Sequence, residues 1–237
     1  MSHSPARRHL IRVQAEEAAR NAPAGEEVVG GAYELMLAQL HEHTRTLKGI
    51  QSVERKIAAK REFLAVYDDY LDGALAGGHA ARDRVLTTLL VWHFDCGSWD
   101  RGLQLAEHAL AHHLPLPDQY SRDLPTLLID ETASAVLVGK LPGDDARRVL
   151  ARVQELTADR DAPDQARAKL HKAIAYALMG KAPGAEPDLD QLDATRAALA
   201  LRELQRAHEL FQGVGVKKDM ERLERRAKGA EPANASA

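Results

Sequence analysis

The chain has 237 residues, of which 45% are hydrophobic and 4% aromatic, and its formal net charge is −3 at pH 7. This length fits one large or two ordinary domains, with a core built mainly from Leu, Ala, Val and Ile. The slightly negative charge excludes general attraction to nucleic acid, so any such binding must come from local basic patches. The single cysteine, Cys96, excludes an internal disulfide and is typical of a reducing compartment.

The residue types favour helices. Strong helix formers such as Ala, Leu, Arg, Glu and Gln are abundant, and no stretch alternates in the manner of a β-strand. No apolar run reaches the roughly 18 residues that would span a membrane. Arg7, Arg8 and Arg12 interrupt any apolar signal-peptide core at the start. We therefore expect an all-α protein of the cytoplasm without a membrane partner.

The first segment, residues 1–31, predicts a basic N-terminal arm. Residues 4–20 have the pattern of a short helix that carries Arg7, Arg8 and Arg12, and glycines and a proline follow it. Two interpretations stay open. The arm either folds onto DNA or is an ordinary solvated terminus.

Residues 32–76 predict a long helical region. No proline occurs there, and Gly49 is the only glycine before Gly73, so an unbroken helix would extend about 65 Å. Apolar residues recur with the spacing of a coiled-coil seam. The seam consists of Met36, Leu40, Leu47, Ile50, Ile57, Leu64 and Leu71. A helix of this length cannot bury such a stripe alone. We expect either an oligomerisation helix or a chain that folds back near Gly49.

Beyond Gly77 and Gly78 the pattern indicates shorter helices. Residues 77–182 predict a domain of helical hairpins, with helices near 81–94, 101–113, 125–138, 144–158 and 163–179. The first pair resembles one tetratricopeptide unit, but no period of about 34 residues is sustained. Residues 183–228 predict C-terminal helices with a basic end, and residues 229–237 predict a disordered tail.

Two further basic segments are candidates for DNA binding. One is a stripe at helical spacing, made of Arg45, Lys48, Arg55, Lys56, Lys60 and Arg61. The other is the last helix, with Lys217, Lys218, Arg222 and Arg225. These cations could follow the phosphates of DNA. Alternatively they form solvated helix faces on which nearby glutamates neutralise part of the charge.

The sequence gives little support for chemistry within this chain. His108 and His112 are one helical turn apart, but a structural metal site needs further ligands. Asp68, Asp69 and Asp72 could hold a divalent ion of a nuclease, although no neighbouring Lys or His completes a recognisable site. A glycine-rich phosphate loop ending in Lys-Ser or Lys-Thr is absent. We predict no metal, no cofactor and no ATP hydrolysis in this chain.

Five short segments in fixed order carry a family resemblance. They read SPARRHLIRV at residues 4–13, KREFL at 60–64, LVWHFDCG at 90–97, DQARAKLHK at 164–172 and GVKKDMERLER at 215–225. Together they resemble the small terminase subunit of tailed temperate phages with cohesive-ended genomes. The resemblance extends over nearly the whole chain, from Ser4 to Lys228.

This resemblance implies a function in viral DNA packaging. It implies a homo-oligomer, such as a ring, that binds viral double-stranded concatemer DNA at the cohesive-end site in the bacterial host's cytoplasm. The large terminase subunit would be the partner and would hold ATP and a divalent metal. Family members are often labelled endonuclease subunits, so intrinsic cleavage stays open, as does a tetratricopeptide-like scaffold. Members often continue into a long basic tail, whereas this chain ends in AEPANASA.

Overall fold

The computed structural model of the protein describes residues 4–78 and 80–230. Within these residues the chain contains helices and no β-strand, which confirms the predicted all-α fold. The helices are α1 (Pro5–Asn21), α2 (Gly31–Lys48), α3 (Val53–Leu64), α4 (Asp68–Gly77), α5 (Arg84–Cys96), α6 (Trp99–Ala111), α7 (Leu124–Leu137), α8 (Gly143–Thr157), α9 (Asp164–Met179), α10 (Ala194–Leu210) and α11 (Lys217–Ala230). A short 3-10 helix, Gln212–Val214, precedes α11.

The chain divides into two compact units between Leu124 and Pro125. Helices α1 to α6 belong to the first unit, and α8 to α11 belong to the second. The division falls inside the predicted region 77–182, so the helices of that region are distributed over both units. Of the predicted tail 229–237, residues 229 and 230 belong to α11, and residues 231–237 lie outside the described part of the chain.

Side-chain caps begin four of the helices. Ser4, Ser52, Asp83 and Asp193 each accept a hydrogen bond from the backbone N–H three residues later, at 3.4, 3.3, 2.9 and 2.8 Å. Such caps satisfy N–H groups that have no partner inside the helix. These local bonds fix the first turns of α1, α3, α5 and α10.

The predicted long helix across residues 32–76 is interrupted twice. The first break separates α2 from α3 at Gly49, which has low helix propensity, and it is followed by the N-cap Ser52. A break near Gly49 is one of the two predicted alternatives. The second break, between α3 and α4, is not indicated by the sequence. Here Tyr67 is fully buried, and its hydroxyl lies 2.7 Å from Nδ1 of His43, so a tertiary contact fixes the turn.

The predicted coiled-coil seam is covered within the chain. Met36, Leu40, Leu47, Leu64 and Leu71 are buried inside the first unit, whereas Ile50 and Ile57 are half-buried. The apolar stripe therefore does not require a second chain to leave water. Self-association through this region stays a prediction.

Helix α1 packs closely on α4 and is not a free arm. Ile11, Ala15 and Ala19 form its buried face. A Cβ atom at Gly73 would lie 2.2 Å from the carbonyl oxygen of Arg12, and one at Gly77 would lie 2.6 Å from Ala19 Cβ. Only glycine at these positions allows the two backbones to approach so closely. The same contact holds the N-terminal arginines against the first unit.

Helices α5 and α6 form the predicted hairpin. α5 is buried over most of its length, and Phe94 near its end contacts the ring of Trp99 edge-on, with ring centres 5.8 Å apart. Gly102 on α6 faces the same Phe94 ring and leaves room for it. Among the helices that the structure describes, none is long and apolar enough to cross a membrane.

The second unit buries a core between α9, α10 and α11. The core residues are Ala175, Met179, Leu192, Ala200, Leu204, Val216 and Leu223. The helix predicted from residue 189 begins instead at Ala194 because Asp193 caps it. Leu192 of the preceding turn belongs to the core, so the segment between α9 and α10 is fixed at this end.

Candidate nucleic-acid interface

The cations of α1 differ in their availability. Arg8 is engaged, since its Nε lies 2.7 Å from a carboxylate oxygen of Asp69 on α4. Arg7 and Arg12 are exposed, and neither has an ion-pair partner among the described residues. The packing of α1 on α4 therefore leaves two of the three predicted arginines available to an external anion.

The break at Gly49 divides the predicted basic stripe between two helices. Arg45 and Lys48 lie on the last turn of α2, and the remaining four cations lie on α3. Arg45 pairs with Glu42 at 3.1 Å, which leaves both side chains largely exposed. Lys48, Arg55 and Lys56 form no ion pair within the part of the chain that the structure describes. The stripe is not one straight row along a single helix.

Lys60 and Arg61 hold α3 on the end of α5. The Nζ atom of Lys60 lies 2.5 Å from Asp95 Oδ2 and 5.6 Å from the centre of the Trp92 ring. Arg61 donates a hydrogen bond of 3.2 Å to the carbonyl of Cys96. Cations are favourable near a helix C-terminus, where carbonyl groups lack helical partners. The sequence predicts that both residues bind DNA, and the structure gives them an additional packing role.

The cations of α11 lie at its start and along one side. Lys217 is exposed, and it has no ion-pair partner among the described residues. Lys218 and Arg222 both pair with Glu186, and Arg225 donates to the carbonyl of Glu221 at 3.2 Å. The predicted DNA-binding cations thus form three groups along the chain, two in the first unit and one in the second.

Buried Asp83 fixes the start of α5. One carboxylate oxygen accepts a hydrogen bond of 2.9 Å from the backbone N–H of Leu86, and the other accepts one of 2.7 Å from the Tyr70 hydroxyl. Burial raises the pKa of Asp83, whereas these hydrogen bonds act in the opposite direction. Asp83 is not among the residues predicted from the sequence. An Asp directly before an apolar run is nevertheless an N-cap signal that could have identified it.

A second buried carboxylate, Asp219, fixes the start of α11. Lys181 Nζ lies 2.6 Å from its Oδ1, and the Tyr176 hydroxyl donates to its Oδ2 at 2.8 Å. The same lysine lies 4.4 Å from the centre of the Tyr176 ring. Burial raises the pKa of Tyr176, and the hydrogen bond to Asp219 adds to this. This network positions Lys217 and Lys218, which precede Asp219 in sequence.

The candidate metal ligands make other contacts. The rings of His108 and His112 lie 4.5 Å apart, and burial lowers the pKa of His108 to about 4. Asp69 pairs with Arg8, and Asp72 pairs with Arg101 at 2.5 Å. Within residues 4–78 and 80–230, no three His, Cys, Asp or Glu side chains are grouped so that they could hold a metal ion.

Comparison with known proteins agrees with the resemblance seen in the sequence. Residues 37–165 match the family described as "Phage small terminase subunit". The chain is 39% identical over 228 residues to the "Terminase, endonuclease subunit" of Escherichia phage P2, covering 95% of this chain and 86% of that protein. It is 23% identical over 202 residues to the "Probable terminase, endonuclease subunit" of Haemophilus phage HP1, covering 81% and 69%. No solved structure matches.

These matches define the class of protein. A family match over more than half of the chain, together with a relative that aligns along almost all of it, identifies a phage terminase subunit. The chain belongs to the phage small terminase subunit family, as the five sequence segments predicted.

Proposed function

We propose that this protein binds viral double-stranded concatemer DNA at the cohesive-end site and directs its cleavage and packaging together with the large terminase subunit. The observation that carries the proposal is the likeness, along nearly the whole chain, to a terminase subunit of phage P2. The protein would act in the cytoplasm of the bacterial host. The large subunit would supply ATP hydrolysis and hold the divalent metal.

The charge distribution supports binding through several modest patches. Among the predicted DNA-binding cations, five are exposed and have neither an ion-pair partner nor a side-chain hydrogen bond in the described chain, namely Arg7, Arg12, Lys48, Arg55 and Lys217. Half-buried Lys56 is also without such a partner. Because the net charge is −3, long-range attraction to DNA is weak. In a homo-oligomer each patch would be repeated, and simultaneous contacts would multiply the affinity.

The decisive experiment is a gel-shift titration with DNA that contains the cohesive-end site of the phage. We expect a shifted band that scrambled competitor DNA of the same length displaces poorly. The shift should become stronger when the large subunit is added. If the purified protein shifts neither DNA, with or without the large subunit, the proposed function is wrong.

An intrinsic endonuclease is the second candidate, because both relatives carry "endonuclease subunit" in their names. Incubation of the pure protein with site-containing DNA and Mg²⁺ separates the two. Cleavage only in the presence of the large subunit supports the proposed division of labour. Site-specific cleavage by this protein alone supports the endonuclease.

A further inference from the structure

Glu186 contacts two cations of α11 at once. It lies in the segment between α9 and α10. Its Oε1 is 3.1 Å from Lys218 Nζ, and its Oε2 accepts a hydrogen bond from Arg222. Lys218 and Arg222 are four residues apart, so their side chains share one face of α11. A single carboxylate therefore bridges two of the predicted DNA-binding residues.

The segment that carries Glu186 is fixed at both ends without this carboxylate. At one end Lys181 pairs with buried Asp219. At the other end Leu192 is buried in the core, and its carbonyl accepts a hydrogen bond from Arg226. The Glu186 side chain between them is 54% exposed. It can turn into solvent while both anchors stay in place.

A carboxylate and a phosphate present the same chemistry to this pair of cations. Both are anions with several acceptor oxygens, and arginine and lysine bind either one. Hydrogen bonding to Lys218, followed by the charges of Arg222 and Lys181, lowers the pKa of Glu186, so it is ionised at neutral pH. On α11 itself, Glu221 is exposed and Glu224 is half-exposed. Their negative charges reduce the net attraction of this helix for anions.

The Glu186 contact differs from the other ion pairs that engage predicted DNA-binding cations. Glu42, Asp69 and Asp95 each hold one cation. The pair of Asp95 with Lys60 is also more enclosed, with the lysine 17% exposed. Lys218 is 78% exposed and Arg222 is 26% exposed. An exposed ion pair contributes little net stability because water solvates both partners when they separate. Glu186 is thus an exposed carboxylate whose replacement by an incoming anion would release two predicted DNA-binding cations at once.

We propose that Lys218 and Arg222 form a phosphate site that Glu186 occupies in the free protein, so that Glu186 competes with DNA for this face of α11. The proposal rests on the proposed function for the identity of its natural ligand. The phosphate could belong to a DNA backbone or to a free polyphosphate. One experiment for each source separates them.

The first experiment compares Glu186→Gln with wild type in salt-dependent DNA binding. Removing the competing charge should raise the affinity about two- to tenfold at low salt. It should also steepen the dependence of log affinity on log salt by about 0.9 for each additional phosphate that the protein neutralises. The matched control is Glu209→Gln, since Glu209 is also exposed and pairs with Arg206, which is not a predicted DNA contact. It makes the same change in net charge and should leave both quantities unchanged.

Two results would overturn the proposal. One is that Glu186→Gln binds DNA no better than Glu209→Gln, which would mean that Glu186 does not compete. The other is weaker binding by Glu186→Gln, which would mean that the ion pairs position α11 for DNA. Glu186→Ser repeats the test with a side chain too short to reach Arg222. Urea unfolding of each variant verifies that the fold is retained.

The second experiment measures tripolyphosphate binding by calorimetry and does not depend on DNA recognition. Glu186→Gln should bind this anion more tightly than wild type, and adding Lys218→Gln and Arg222→Gln should remove the increase. If the protein binds no DNA but the increase appears, the proposed function fails and the phosphate site stands. If wild type binds DNA but Glu186→Gln binds neither DNA nor tripolyphosphate more tightly, the phosphate site fails and the proposed function stands.

Discussion

Three tyrosine hydroxyls donate hydrogen bonds to carboxylates of the two units. Tyr33 donates to Glu27 at 3.0 Å and Tyr70 to Asp83 at 2.7 Å in the first unit, and Tyr176 donates to Asp219 at 2.8 Å in the second. A buried carboxylate without such partners would carry a large desolvation penalty. At the residue scale, the bonds to Asp83 and Asp219 hold the starts of α5 and α11, and the bond to Asp219 therefore helps to position Lys217 and Lys218 beside it.

Replacing Asp83 by Ala should destabilise the protein strongly. The change removes the cap of α5 and leaves the buried Tyr70 hydroxyl without its acceptor, which together should cost about 2–4 kcal/mol. Urea unfolding measures this loss. Ser4→Ala is the control because it removes an exposed cap with a longer bond, so it should cost about 0.5–1 kcal/mol. Equal losses in the two variants would contradict the role assigned to Asp83.

His93 should make stability fall as the pH is lowered. Burial, with a smaller effect of the Arg101 charge, lowers the pKa of His93 to about 4, and neither ring nitrogen has a hydrogen-bond partner among the described residues. The unfolded chain has the ordinary value of about 6.5, so below that pH it binds more protons than the folded chain. The contribution of neutral His93 to the free energy of unfolding is therefore fully present above about pH 6.5, and it is lost as the pH falls towards 4.

Comparison of wild type with His93→Leu tests this expectation. At pH 5 the depressed pKa should account for about 2 kcal/mol of lost stability relative to pH 7. The variant should lose less over the same interval by about this amount, as measured by urea unfolding at both pH values. His113→Gln, on an exposed residue, serves as the control. An unchanged pH dependence in His93→Leu would show that other groups control it.

At the scale of the helices, the close approach of α1 and α4 depends on glycine. Gly73 and Gly77 bring the two backbones together, while α1 itself buries only Ile11, Ala15 and Ala19. The contact has little apolar area for its length, so its stability depends on the fit of small residues. Larger residues at these positions cannot be accommodated without moving α1.

Gly73→Ala should displace α1 and destabilise the first unit by about 2–4 kcal/mol, because the added methyl group would meet the Arg12 carbonyl at 2.2 Å. Amide hydrogen exchange should show faster exchange in α1. Gly31→Ala provides the contrast. It also lies in a helix, but its Cβ would meet nothing within 4 Å, so it should stabilise by about 0.5–1 kcal/mol. Slow exchange in α1 of Gly73→Ala would show that the contact adapts.

At the scale of the whole molecule, the distribution of charge matters more than its sum. The chain carries 32 Lys and Arg residues against 35 Asp and Glu, so the proposed DNA binding would depend on local groups of cations. The structure distinguishes two sets of equal size within the basic stripe. Lys48, Arg55 and Lys56 form no ion pair in the described chain. Arg45, Lys60 and Arg61 make contacts to Glu42, Asp95 and the Cys96 carbonyl.

Neutralising Lys48, Arg55 and Lys56 to Gln should weaken DNA binding and lower the salt slope by up to about 2.7 per subunit, which is about 0.9 for each of three phosphate contacts. Fluorescence anisotropy over a range of salt concentrations gives both quantities. The control replaces Arg45, Lys60 and Arg61 by Gln. It makes the same charge change but should chiefly lower stability, since Lys60 and Arg61 hold α3 on α5. Equal effects of the two sets on the slope would contradict this division.

The sequence by itself determined the all-α fold, most helix boundaries and the family. Helix propensity and glycine breaks act over a few residues, so a local pattern is sufficient to predict them. The Asp193 cap is also a local signal, but the predicted helix start at residue 189 missed it. The five segments that resemble small terminase subunits were likewise readable in order along the chain.

Only the tertiary structure decided which residues are already engaged. The partners of Lys60 and Lys218 lie 35 and 32 residues away in sequence, and no local pattern pairs Tyr67 with His43. The heptad spacing also predicted a seam without revealing that the chain itself covers most of it. Periodicity reports that a helix face must leave water, but which surface covers that face depends on long-range packing.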